Sequence, residues 1–194
     1  MPEDNSEKLG VAPLAWASEV IGKHPGRAVI LSTHEYLNDA PPGRTRTGDA
    51  VFGEFVSEHD QVFLVLSGHH HNHEASGEGS ALSNDGEWHQ VSKNRFGREV
   101  VEVLQDFQDY PRGGDGWLRI VTFDREHAEL RFETYSPVLG RFQAETVAED
   151  GPRASRFRIP LNLTARLGAA PRPRAPLQTW GRGAAAAPTA GARA

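Results

Sequence analysis

Two short, unbroken apolar runs that lead to histidines constrain the fold more than any other feature of this chain. The first run, residues 28–31, leads to His34, and the second, residues 62–66, leads to a histidine triplet at 69–71. Runs of four or five apolar residues without alternation are typical of strands that are buried on both faces. Residues 51–56, which lie between the runs, have weak helical periodicity. The sequence therefore predicts a βαβ-like unit.

The flanking segments extend this unit into a larger α/β body. An apolar stripe behind Pro13 predicts a helix from about Pro13 to Lys23, since proline is favoured in a first helical turn. After Gly86 the apolar residues alternate with polar ones, and this pattern predicts strands at 87–92, 99–104, 117–123, 130–135 and 157–163. We expect an α/β fold whose later strands are antiparallel, with a loop-rich stretch from Asn72 to Gly86.

Composition excludes several classes of function. The chain has no cysteine, which excludes disulfide scaffolds, thiolate metal sites and thiol catalysis. Any metal must then bind to His, Asp, Glu or Asn side chains. Residues 1–165 contain sixteen Lys and Arg against twenty-six Asp and Glu, so this body has a charge of −10 and nucleic acid is disfavoured as a partner. No apolar run approaches the ~18 residues of a membrane span.

The two ends of the chain differ from its body. Residues 166–194 contain five Arg, no acidic residue, ten Ala, four Gly and four Pro, so they offer little apolar area for packing. This composition predicts a domain at 1–165 and a disordered tail at 166–194. The first ten residues are charged and lack the apolar stretch of an export signal. As written, the chain is expected to be neither exported nor membrane-spanning.

The histidines are the strongest indication of chemistry. Four of the nine histidines fall within residues 69–73, and His34 follows the other buried strand. Ligands of α/β sheets bind just beyond the carboxyl ends of the strands, so these imidazoles are expected to converge in one crevice. A lone His34 would more commonly bind backbone groups, whereas the clustered histidines favour a site for a divalent metal ion. Asn72, Asp106 and Tyr135 are compatible with a place near the cleft, but turn capping and sheet packing are their favoured roles.

Several segments together resemble a known family. The segments VILSTH, at 29–34, and VLSGHHH, at 65–71, are similar to the last two metal-binding blocks of the calcineurin-like metallophosphoesterase superfamily. Later segments resemble blocks that follow in one bacterial branch of it: VLQDFQ at 103–108, GGDGWLR at 113–119 and TYSP at 134–137. The resemblance covers roughly residues 14–163.

The resemblance implies a metal-dependent phosphoester hydrolase that acts on phosphomonoesters or phosphodiesters through Zn, Mn or Fe. By this resemblance, His34 and His69 would bind one ion of a dinuclear centre, and His71 would bind the other. No catalytic residue is assigned. The further candidates for the substrate cleft are His70, Asn72 and His73, of which His70 and His73 match no ligand position and are expected at the surface.

The blocks that open this family are not found in the chain. These are Asp-x-His, the Gly-Asp block that supplies a bridging carboxylate, and Gly-Asn-His followed by Asp or Glu. The resemblance therefore implies the C-terminal half of the domain, a partial β-sandwich flanked by helices that is about half of an αββα four-layer fold. We expect an unpaired sheet edge, at most one weakly held ion, slow hydrolysis by the chain alone, and a partner that is either a complementary N-terminal half or a second copy.

Two other classes of function are compatible with the same residues. One is a noncatalytic module that captures Zn, Ni or Cu with its histidine cluster, although such clusters usually lie in flexible loops and not after a buried strand. The other is a structural remnant that binds a partner. Relatives in the bacterial branch are often exported, whereas the charged N-terminus of this chain lacks an export signal. The two observations indicate different compartments, so the cellular location of the protein stays open.

Overall fold

The computed structural model describes residues 6–71, 86–108, 110–143 and 151–168 and has a mixed α/β fold with two sheets. The helical elements are α1 (Ser6–Gly22), α2 (Arg46–Val51), which continues as a π-helical segment (Phe52–Val56), α3 (Pro111–Gly114) and α4 (Leu163–Leu167). The strands are β1 (Val29–Ser32), β2 (Val62–Ser67), β3 (Glu87–Lys93), β4 (Glu99–Gln105), β5 (Leu118–Asp124), β6 (Glu129–Ser136), β7 (Arg141–Phe142) and β8 (Arg156–Pro160).

The first sheet contains the predicted βαβ unit. Its strand order is β1-β2-β4-β3, in which β1, β2 and β4 are parallel and β3 is antiparallel to β4. The unbroken apolar sequence of β2 fits its position between two neighbours, because both of its faces are buried. The carboxyl ends of the three parallel strands consequently lie at one edge of the sheet.

The second sheet is antiparallel, with β6 at its centre. Strand β6 pairs with β5 on one side and with β7 and β8 on the other. The expectation of antiparallel later strands is confirmed for this sheet. It is also confirmed for β3 and β4, which pair antiparallel. Strand β4 in addition runs parallel to β2, because the excursion through β3 returns the chain to the first sheet in the direction of β2.

Strand β4 contributes to two hydrophobic cores. Val100 and Leu104 face the helical side of the first sheet, where they pack with α1 and the π-helical segment. Val101 and Val103 face the second sheet and pack with Leu130, among others. This alternation follows from the period of two along a strand. The first sheet is therefore a layer between helices and the second sheet, and only its edges and strand ends are open to a site.

Prolines mark two places where elements differ from their predicted bounds. Helix α1 begins at Ser6, so Pro13 lies inside it and not in its first turn. A proline inside a helix removes one backbone hydrogen bond, a loss that α1 tolerates. The last predicted strand ends at Pro160 and not at residue 163. Helix α4 follows because the Asn162 side chain caps it, accepting from the Ala165 N–H at 2.9 Å.

The predicted tail boundary at Arg166 falls inside α4. The Arg166 side chain is buried against the body, where its guanidinium donates to the carbonyl oxygen of Asp60 at 2.9 Å and to the carbonyl oxygen of Glu99. The first residues of the predicted tail therefore pack on the first sheet. Residues 169–194 lie outside the described residues, and their disorder stays a prediction.

The two outer strands of the first sheet, β1 and β3, differ in whether their free side is covered. Among the described residues no strand pairs with the outer side of β1, where the Ile30 side chain is 46% exposed. At the opposite edge, the His89 N–H of β3 donates to the Pro152 carbonyl oxygen at 2.7 Å. Edge β1 is thus the open one. None of the helices in the described part of the chain has the length and apolar character needed to cross a membrane.

Candidate metal centre

Polar residues follow all three parallel strands at the same edge of the first sheet. His34 lies two residues after β1, His69 two residues after β2, and Asp106 directly after β4. The first two loops are joined by their backbones, because the Gly68 N–H donates to the His34 carbonyl oxygen at 3.0 Å. The topology thus brings both predicted histidine groups to one edge.

The His34 and His69 side chains are in direct contact. Their ring centroids lie 4.5 Å apart with an interplanar angle of 61°. His69 has a φ of +74°, a left-handed conformation that non-glycine residues rarely adopt, although histidine does so more readily than most. This turn directs the chain away from β2 and is stabilised by the His70 N–H, which donates to the Gly68 carbonyl oxygen at 3.0 Å.

His70 lies within the histidine cluster and is not a fully exposed residue. Its ring centroid is 4.9 Å from that of His69, and its side chain is 32% exposed. Its Nε2 atom is buried and has no hydrogen-bond partner among the described residues, with Glu35 Oε1 at 3.8 Å. The expectation of a surface histidine therefore holds only in part, and the buried Nε2 of His70 makes no hydrogen bond within the described part of the chain.

His71 lies against a carboxylate that the sequence did not assign to the site. Its Nδ1 atom is 3.3 Å from Asp106 Oδ2, and the two side chains are 5% and 11% exposed. The side-chain nitrogen of Gln108 lies 3.2 Å from His71 Nε2. Asp106 also has the predicted turn-capping role, because its Oδ1 atom accepts from the Gln108 N–H at 3.0 Å. Tyr135 packs on Phe142, with ring centroids 5.0 Å apart.

The side-chain types at this edge suit a divalent cation such as Zn²⁺, for which imidazole and carboxylate are common ligands. The described residues contain no group of three or more His, Asp or Glu side chains arranged to hold a metal ion. The candidate cleft residues Asn72 and His73 lie outside the described residues. The three predicted ligands His34, His69 and His71 therefore stay a prediction, with the contact between His34 and His69 as their geometric core.

Two further histidines are in packing positions. His59 contacts the Ser18 hydroxyl, with Nε2 and Oγ 2.8 Å apart, and burial lowers the pKa of its ring. His89 stacks on Phe157 with ring centroids 3.7 Å apart, and burial, with a smaller contribution from the Arg119 charge, lowers its pKa to about 4. Neither histidine lies among the residues that follow β1, β2 and β4.

Comparison with known proteins provides one relative. The chain is 37% identical over 124 residues to the uncharacterized protein YvnB of Bacillus subtilis (strain 168), an alignment that covers 64% of this chain and 9% of the Bacillus protein. No protein-family model matches the chain. No solved structure matches it either. The chain thus spans less than a tenth of the curated relative that it matches.

Proposed function

We propose that this chain provides part of the site of a metal-dependent phosphoester hydrolase of the calcineurin-like metallophosphoesterase type. The observation that carries the proposal is the contact of His34 with His69 beyond the carboxyl ends of β1 and β2, with His71 on the same loop. Crevices at this edge of parallel strands are where α/β sheets bind ligands. The order of the segments that resemble the family supports the same assignment.

In this proposal His34 and His69 bind one divalent ion of a dinuclear centre, and His71 binds the other once a partner completes the site. Alone, the three histidines together hold at most one ion. A bound ion of this kind supplies Lewis acidity and a water of lowered pKa. The histidines bind that ion through their ring nitrogens. The backbone hydrogen bond from the Gly68 N–H to the His34 carbonyl oxygen holds the two loops that carry these histidines together. The buried and unpartnered Nε2 of His70 is a further polar group that could contact a substrate oxygen.

The substrate class is a phosphomonoester or a phosphodiester, and the expected partner is a complementary segment or a second copy of the chain. Asp106 and Glu35 are carboxylates near the histidines, at 3.3 Å from His71 and 3.8 Å from His70. Neither carboxylate lies in a segment that resembles the Gly-Asp block, which supplies the bridging carboxylate in the resembled family. The proposal therefore assigns metal binding to this chain and makes rapid hydrolysis depend on ligands from a partner.

Binding of inorganic phosphate tests the proposal. Isothermal titration of the full chain with phosphate, with and without an equivalent of Zn²⁺ or Mn²⁺, should give binding only in the presence of the ion, because the bound dication supplies the positive charge that attracts phosphate. Metal binding without phosphate binding would instead indicate the noncatalytic metal-binding module. A chain that binds neither ion would contradict both functions.

A further inference from the structure

The contact with Asp106 distinguishes the two ring nitrogens of His71. Nδ1 lies 3.3 Å from Asp106 Oδ2, whereas Nε2 lies 3.2 Å from the side-chain nitrogen of Gln108. The same amide nitrogen is 3.3 Å from Nδ1. The His71 ring is 5% exposed, so the protein and not bulk water decides which ring nitrogen carries the proton.

Donor and acceptor chemistry selects one tautomer of the neutral ring. An ionised carboxylate only accepts hydrogen bonds, and an amide NH₂ group only donates them. With the proton on Nδ1, His71 donates to Asp106. With the proton on Nε2, a lone pair on Nδ1 would face the carboxylate oxygen, and this contact would be repulsive. The Gln108 amide nitrogen lies at nearly the same distance from both ring nitrogens, so it does not select between the tautomers.

The backbone holds the Asp106 carboxylate at this place. The Asp106 N–H donates to the Gly86 carbonyl oxygen at 2.8 Å. Gly86 has a φ of +75°, and a Cβ atom at this position would lie 2.1 Å from the Asp106 carbonyl oxygen and 3.4 Å from the His71 Cβ. Only a glycine permits this close approach. The contact between His71 and Asp106 is therefore a consequence of how the chain enters β3 and leaves β4.

We propose that Asp106 is a positioning residue that holds His71 as the Nδ1–H tautomer and so leaves Nε2, which is covered by the Gln108 amide, as the nitrogen that binds a divalent cation. The inference deepens the proposed function and rests on it for the cation. A carboxylate that accepts from the second ring nitrogen is a common partner of a metal-binding histidine, and its loss typically costs ~10–100-fold in metal affinity.

The tautomer is measurable without metal. Long-range ¹H–¹⁵N correlation spectra of the full chain at pH 8 should show His71 as a single Nδ1–H tautomer, and Asp106→Ala should abolish that single pattern. Asp39→Asn is the matched control, since the Asp39 carboxylate accepts from the Gly86 N–H at 3.4 Å and lies 3.7 Å from Arg153. In the described part of the chain no hydrogen bond or ion pair joins Asp39 to His71. The control should keep the Nδ1–H pattern. A wild-type chain with the proton on Nε2 would overturn the inference.

A Zn²⁺ titration separates this inference from the proposed function. Asp106→Ala should weaken Zn²⁺ binding ~10–100-fold. Gln108→Leu should bind Zn²⁺ at least as tightly as the wild type, because the amide that covers Nε2 is removed. Zn²⁺ binding that is insensitive to Asp106→Ala would overturn the inference and leave the proposed function standing. A chain that binds no Zn²⁺ but retains the Nδ1–H pattern would overturn the proposed function, and with it the role of Nε2, while the tautomer assignment would stand.

Discussion

The rings of His34 and His69 pack against each other with centroids 4.5 Å apart, although 35 positions separate them in the sequence. The contact exists because β1 and β2 are parallel neighbours and each histidine follows its strand by two residues. It joins the two histidine groups recognised in the sequence. Substitutions at these two positions therefore test the candidate site most directly.

Removal of either imidazole should weaken metal binding. His34→Gln and His69→Asn each remove one ring, and asparagine tolerates the left-handed backbone of His69. We expect the affinity for Zn²⁺ to fall by ~10-fold or more, which corresponds to ~1.4 kcal/mol. Isothermal titration of both variants checks this. His24→Asn changes an exposed histidine after α1 and should bind Zn²⁺ as the wild type does; equal affinity for all four proteins would exclude His34 and His69 as ligands.

Hydrolysis by the chain alone should be slow. Without a bridging carboxylate, two dications ~4 Å apart repel each other by ~16 kcal/mol at an effective dielectric constant of about 20, so a second ion is not retained. Each 1.36 kcal/mol of lost transition-state stabilisation costs ~10-fold in rate, and we expect turnover at least ~1,000-fold below the ~10 s⁻¹ of a typical enzyme. A chromogenic phosphodiester with Mn²⁺ or Zn²⁺ provides the assay. Rapid turnover that His71→Ala abolishes would show that this chain suffices.

The buried ion pair between Glu87 and Arg119 should contribute strongly to stability. Both side chains are buried between the two sheets, and Glu87 also accepts from the Ser155 hydroxyl at 2.9 Å. Because Arg119→Met leaves an unpaired buried carboxylate, it should reduce the free energy of unfolding by ~3–5 kcal/mol. Urea denaturation measures the loss.

The exposed pair of Glu133 and Arg156, at 3.3 Å, offers a control for the same chemistry at the surface. Arg156→Met should change the free energy of unfolding by less than ~1 kcal/mol, since solvent screens an exposed pair. Similar losses for the two arginine variants would show that the burial of Arg119 does not determine its contribution.

His89 should make stability depend on pH between about 4 and 6.5. Its pKa in the folded chain is about 4, below the ordinary value of 6.5, so in this range the unfolded chain binds a proton that the folded chain does not. Stability should therefore fall as the pH decreases, with a slope of at most ~1.4 kcal/mol per pH unit from this group. His89→Phe keeps the stacking on Phe157 and cannot be protonated. Urea denaturation at pH 5 and 7.5 should show a smaller difference for this variant than for the wild type.

The open edge at β1 should promote self-association. An uncharged edge strand with an exposed apolar side chain can pair with a second chain, and a lysine on the edge opposes this. We expect Ile30→Lys to reduce association in sedimentation velocity experiments. Val91→Lys is the matched control, because Val91 is also 46% exposed but lies on β3, whose edge is occupied in part by the backbone of residue 152. An equal effect of both lysines would indicate that charge alone, and not the β1 edge, controls association.

The positions of the strands along the chain were predicted better than the directions in which the strands run in the sheets. Residues 62–66 are apolar throughout because β2 has two covered faces, and this is a local property that the sequence reveals. The same interpretation is wrong for residues 28–31, because β1 is an edge strand whose residues alternate between partly buried and exposed. The direction of β4 depends on the path of the chain through β3, which no residue of β4 encodes. For this reason the strand at 99–104 was predicted, whereas for Asp106 turn capping was favoured over a place near the cleft with His34 and His69. The one available signal was its position directly after a strand.

The spacing of the first sheet sets the width of the candidate site. Neighbouring strands lie ~4.8 Å apart, so groups that directly follow β1 and β4 are separated by about two spacings, or ~10 Å. Loop lengths can change which side chains reach into this interval, but they cannot change the interval without breaking the pairing of β2 with both neighbours. Side chains from the loops after β1 and β4 that bind one ion must therefore together bridge a gap whose width the backbone hydrogen bonds of the sheet determine.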